Sequence, residues 1–183
     1  MILAKRPDIE RFLAKPEGVR VVLIYGRDTG VVKDRGAQLA SKIVPNLDDP
    51  FDVALLTDGD LDGDGARLEG ELAAQSLMGG RRLVRLRFAT EKASLDKQVA
   101  ETLVAHASGK LNPDAFFIIE AGNLGRDSAI RKAAEKAPEA AAIPCYEDEP
   151  GDVARLVREL LAKDSVGLDA QALQLFVGRL PKE

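Results

Sequence analysis

The stretch Arg20-Val-Val-Leu-Ile-Tyr25, followed at once by Gly26-Arg-Asp-Thr-Gly30, decides the fold class. A continuous apolar run without polar alternation is how a strand buried on both faces of a parallel sheet reads. The loop leads into helical periodicity from Val31 to Val44, which stops before Pro45. That strand–loop–helix step then repeats. Strands are predicted at Phe51–Thr57, Arg82–Phe88, Asp114–Ala121 and, shorter, Ala140–Cys145. Helices are predicted at Ala66–Leu77, with Leu68, Leu72 and Ala73 inward, at Ser94–Ala107 and at Asp127–Lys136. Asp58 to Gly65, rich in Asp and Gly, reads as a loop. Upstream, Pro7–Lys15 reads as a short helix, because Pro suits a first helical position and Ile9, Phe12 and Leu13 share a face; Pro16-Glu-Gly18 breaks it. The expected architecture is α/β: a five-stranded parallel sheet with flanking helices, spanning residues 1–145.

Beyond Glu147-Asp-Glu-Pro-Gly151 the alternation ends. Val153, Leu156, Val157, Leu160 and Leu161 keep helical spacing, which predicts an amphipathic helix over Asp152–Lys163. Asp169 is placed to N-cap a second helix over Ala170–Leu180. A boundary is therefore expected near residues 145–151, with 151–183 the beginning of a helical domain too small to fold alone.

Composition narrows the function. The chain has 183 residues, 45% of them hydrophobic, enough for a packed core and incompatible with a disordered chain. A net charge of −4 argues against a general nucleic-acid binder, and 4% aromatics with no Trp argue against base-stacking platforms. One Cys and one His exclude an intramolecular disulfide and any multi-Cys or multi-His metal site. No apolar run reaches the roughly 18–20 residues of a membrane span, and the first residues carry no signal-peptide core, so a cytoplasmic location is expected.

The first strand–loop–helix is where an α/β protein holds a phosphate. The loop Gly26 to Lys33 departs from G-x-x-x-x-G-K-[ST]: Gly26 and Gly30 are one residue too close, and Val31 and Val32 stand where a Lys and a hydroxyl would be needed. Valine neither neutralises phosphate nor coordinates magnesium, so the loop reads as a plain turn; Lys33 keeps a degenerate nucleotide site open. Glu120 ends an apolar strand where a magnesium-organising carboxylate would sit, or else caps a helix or faces solvent, and Asn123 is read as a turn residue.

Asp58-Gly-Asp60-Leu-Asp62-Gly-Asp-Gly-Ala-Arg-Leu-Glu69 matches the EF-hand calcium-loop pattern at its required positions, Asp58, Asp60, Asp62 and Glu69. It follows a strand rather than a helix and has no second hand, so it reads as an acidic surface loop in which Asp62 or Asp64 caps the next helix. Cys145 and His106 form a conceivable nucleophile–base pair, against packing for the one and a helix end for the other. Arg81, Arg82, Arg85 and Arg87 form the one dense basic run; alternation sets Arg85 and Arg87 opposite Val84, Leu86 and Phe88, on a solvated face of a near-edge strand or as a phosphate-facing patch. In Gln75-Ser76-Leu77-Met78-Gly79-Gly80 two apolar residues end a helix before a glycine stop. The pattern alone favours a C-cap contact folded onto the core; the alternative is an exposed plug for a partner's pocket.

Four stretches taken in order carry a resemblance: Leu23 to Arg35, Gln75 to Val84, Phe116 to Leu124 and Ala141 to Asp148. Together they resemble the delta subunit of bacterial DNA polymerase III, a part of the clamp loader. The resemblance implies an AAA+-type domain that binds no nucleotide and needs no cofactor or metal. It implies that Leu77 and Met78, with Gln75 and Ser76, bind the sliding clamp (beta subunit) and open it. Family members often carry an aromatic where Met78 stands. It further implies contact with other clamp-loader subunits, DNA contact through the assembled complex, no membrane, and a chain that stops within the helical lid without the family's collar domain. A P-loop-like NTPase or kinase with an aberrant loop is the competing expectation.

Overall fold

The computed structural model describes residues 1–76, 79–145, 157–158, 161–162 and 166–179. The chain divides into two compact units, Met1–Cys145 and Tyr146–Glu183. The first holds α1 (Arg6–Ala14), β1 (Val21–Gly26), α2 (Thr29–Ile43), β2 (Val53–Thr57), α3 (Asp58–Gly63), α4 (Arg67–Ala73), β3 (Arg82–Phe88), α5 (Ala93–Ala107), β4 (Ala115–Ala121), α6 (Ala129–Lys136) and β5 (Ala140–Cys145).

The five strands form one parallel sheet in the order β2-β3-β4-β1-β5. The continuous apolar runs are explained by this order. β1 and β4 lie inside the sheet and are buried along their whole lengths. Side-chain alternation sends Val21, Leu23 and Tyr25 to one core, with Leu61, Leu68 and Leu72 of α3 and α4, Leu95, Val99 and Leu103 of α5, and Ile130 of α6. Val22 and Ile24 enter the opposite core, with Ile9, Phe12 and Leu13 of α1 and Val32, Leu39 and Ile43 of α2. A parallel sheet covered on both faces is the architecture expected from the sequence.

Two details differ from that expectation and a third adds to it. Asp58–Gly63 is a short helix rather than a loop, because Thr57 and Asp60 make a reciprocal capping box that starts it. The following helix ends at Ala73, not Leu77, since Ala74 is already extended. The first residues are not a free end: Leu3 N donates to Ala142 O at 2.9 Å and Ala142 N to Met1 O at 2.8 Å, a short parallel pairing along the edge of β5. The other edge, β2, leaves Leu55 exposed, and Phe51 just before it is exposed as well.

In the second unit a helix runs from Ala170 to Arg179, and Asp169 caps it by accepting from the amides of Gln171 and Ala172 at 2.9 and 2.7 Å. Residues 157–158 and 161–162 are helical, and the rest of the expected Asp152–Lys163 helix lies outside the described residues.

Candidate functional site

The carboxyl ends of β1, β3, β4 and β5 are where an open parallel α/β sheet offers a ligand site. At β1 the chain turns sharply into α2. Gly26 is required there, because a Cβ would lie 2.0 Å from the carbonyl oxygen of Cys145 on the neighbouring strand. The N-terminus of α2, the position an anion would take, is occupied from within: Asp28 Oδ1 accepts from Val31 N at 3.0 Å. Val32 is buried in the core beside α1, Val31 packs partly against it, and Lys33 is exposed.

Glu120 faces this same α1/α2 side, yet it neither caps a helix nor meets solvent. It is 5% exposed and lies against Arg85, whose Nε is 3.0 Å away and whose Nη2 makes a second close contact. Arg87 approaches its other oxygen at 3.8 Å. Gly36 of α2 makes the room: a Cβ there would stand 2.3 Å from Glu120 Oε1. Both close contacts from Arg85 fall on Glu120 Oε1, while Oε2 is buried without a hydrogen-bond partner. The basic run is therefore not a simple solvated face. Arg85 is half-buried in an ion pair, and Arg82 is 9% exposed on the other face of the strand. Arg82 was legible as an inward residue, since it has the parity of Val84, Leu86 and Phe88. Arg81 is exposed, as is Asn123 after β4.

The acidic stretch is dispersed among its own partners. Asp60 accepts from Thr57 N at 2.9 Å and Thr57 Oγ1 at 2.7 Å, which holds its carboxyl below the usual range, and it pairs with Arg67 at 3.0 Å. Asp62 pairs with Lys92 at 2.5 Å, and Glu69 is exposed on α4. Neither Asp62 nor Asp64 caps α4, whose N-cap is Ala66; Asp64 makes a turn by accepting from Ala66 N at 3.1 Å.

Cys145 and His106 do not meet. Cys145 ends β5 on the α1/α2 face, buried beside Arg35 Nη1 at 3.2 Å. His106 is fully buried late in α5, its Nε2 3.0 Å from Ala115 O at the opposite, amino end of β4. Burial raises the thiol pKa of Cys145 and lowers the imidazole pKa of His106, so each stays neutral near pH 7.

Gln75, exposed, and Ser76, half-buried, follow α4 outside any helix or strand. Gly79 N donates to Ser76 O at 3.4 Å. Leu77 and Met78 lie outside the described residues. Because α4 ends at Ala73, Gln75 and Ser76 lie beyond the helix rather than in its last turn.

No family model matches the chain, and no curated protein matches it in sequence. Solved structures do. The chain is similar to the Bacillus subtilis DNA clamp loader delta protein, with TM-score 0.65 and 17% identity over 93% of this chain and 51% of that one. It spans about half the length of that protein. Looser likenesses are to domain III of the Thermotoga maritima replication initiation protein DnaA (TM-score 0.44, 12% identity, 92% of this chain and 72% of that one) and to Thermotoga maritima RuvB (0.45, 13%, 93% and 53%). The fold is that of the clamp-loader delta protein: a five-stranded parallel α/β domain.

Proposed function

We propose that this chain is the clamp-binding part of a clamp-loader delta-type subunit of bacterial DNA polymerase III. It binds the sliding clamp and opens it for loading onto DNA, while nucleotide hydrolysis and most DNA contact belong to other subunits of the assembled, soluble complex. One observation carries the reading. In a fold shared with a clamp-loader delta protein, the helix N-terminus that would receive a phosphate is occupied by the chain's own Asp28. Val31 and Val32 in the same turn offer no cation and no hydroxyl to nucleotide or magnesium. Leu77 and Met78, flanked by Gln75 and Ser76, are the proposed anchors on the clamp.

The test joins two measurements. Immobilised, purified sliding clamp is expected to capture the chain, and calorimetry with millimolar ATP and magnesium is expected to show no binding heat. Leu77→Ala and Met78→Ala are each expected to weaken clamp binding about tenfold to a hundredfold, as loss of one buried apolar anchor does. Their melting temperatures are expected to stay near that of the parent chain. Lost stability with unchanged clamp affinity would return the pair to the core, and a micromolar ATP affinity would favour an NTPase or kinase.

A further inference from the structure

A helix leaves its last carbonyls without intrahelical partners. At α4 they are taken by side and main chain from two different strands' approaches. Glu71 O accepts from Arg82 Nε at 3.2 Å, at the start of β3. Leu72 O accepts from Asn112 N at 3.3 Å, and Ala74 O accepts from Asn112 Nδ2 at 2.7 Å, in the turn leading to β4. Both clasps are themselves held. Arg82 also donates from Nη1 to Phe51 O at 2.5 Å and pairs through Nη2 with the Glu71 carboxylate. Asn112 Oδ1 accepts from Asp114 N at 3.0 Å, and its carbonyl accepts from Ala115 N at 3.2 Å. The chain leaving α4 toward Gln75 is thus fastened on both sides before it reaches Ser76, and Gly79 N closes back on Ser76 O.

Fixing a binding segment before the encounter removes part of the ordering entropy that association otherwise costs. We infer that Arg82 and Asn112 are positioning residues for partner binding at Gln75–Met78: they end α4 at Ala73 and set where the segment leaves the domain. The inference rests on the proposed role of that segment in clamp binding.

The experiment uses the whole chain, purified sliding clamp on a sensor surface, and amide hydrogen exchange of the free chain. Asn112→Asp keeps the oxygen that accepts from Asp114 N, replaces the donor to Ala74 O with a second oxygen and adds a negative charge. Arg82→Lys keeps the charge and loses the fork. Asp96→Ala is the control for mere destabilisation, because Asp96 caps α6, accepting hydrogen bonds from Ser128, Ala129 and Ile130. The expected result for N112D and R82K is clamp binding weaker by about tenfold, the scale of one lost hydrogen bond. Exchange at Gly79 N is expected to quicken by a similar factor in both. D96A is expected to lower the melting temperature while leaving both readouts unchanged in the folded protein. Unchanged affinity in N112D and R82K overturns the inference, and so does lost affinity without faster exchange at Gly79. If the parent chain does not bind the clamp, the functional reading falls. Positioning is then judged by Gly79 exchange alone: faster exchange in N112D supports it, and unchanged exchange overturns it.

Discussion

His106 is the one histidine of the chain, and it is buried with its imidazole Nε2 against a backbone carbonyl while Nδ1 has no hydrogen-bond partner. Burial is the first cause of its lowered pKa, and the nearby Arg20 acts in the same direction. The folded protein therefore refuses a proton that the unfolded chain accepts at its ordinary value near 6.5. Above that pH neither state is protonated and the residue costs nothing. As pH falls below it the unfolded state gains protons first, so stability drops until the folded pKa is reached. Between pH 7.5 and 5.5 the parent's melting temperature is expected to fall more steeply than that of His106→Gln; parallel curves would show that His106 is not the titrating group. The pair Arg85–Glu120 is the other residue-scale feature. Removing one partner of a buried ion pair leaves an uncompensated charge. Arg85→Ala is expected to destabilise toward the lower end of about 3–5 kcal/mol, because Arg87 remains 3.8 Å from the carboxylate. The double replacement Arg85→Leu with Glu120→Leu is expected to recover most of that loss in urea unfolding. Additive losses would mean that the two side chains are not coupled.

Among the elements, α2 shows how a loop that could receive phosphate is closed. Its N-cap Asp28 satisfies Val31 N, which a bound anion would otherwise have done. Asp28→Ala is expected to cost about 0.5–2 kcal/mol in urea unfolding. It is not expected to create ATP binding in calorimetry, since the missing lysine and hydroxyl remain missing. An ATP-binding signal in that variant would mean that the carboxylate alone had blocked the site. The helix after β4 has its own N-cap, Ser128 Oγ accepting from Arg131 N at 3.2 Å, and adds a second device: Asp96, on α5, accepts from Ser128 Oγ at 2.8 Å and from the amides of Ala129 and Ile130 at 2.6 and 3.1 Å. A cap supplied from another helix fixes α6 against α5. Periodicity along either helix alone does not reveal it.

For the whole molecule, both core clusters, among the described residues, consist of residues from Met1–Cys145. A chain ending at Cys145 is therefore expected to unfold cooperatively by circular dichroism, with near-ultraviolet signal lost in the same transition as helix. A broad, non-coincident transition would show that residues after 145 are needed for the core. The sequence by itself determined the β/α alternation, the strands Arg82–Phe88 and Ala140–Cys145 to the residue, and the presence of Val31 and Val32 where a phosphate loop needs a lysine and a hydroxyl. These are local: an apolar run buried on two faces and a motif read position by position depend on neighbours in the chain. The strand order, which sets β4 beside β1 and brings Arg85 to Glu120 across a separation of 35 residues, was decided only by tertiary structure. The same holds for Gly36, whose missing side chain is explained by a carboxylate from another strand, and for the end of α4 at Ala73. Helical periodicity carries on past Ala73, but Arg82 and Asn112, distant in sequence, take the carbonyls of the last turn. Hydrogen bonds to distant partners leave no period in the chain, and only the folded sheet brings their donors within reach.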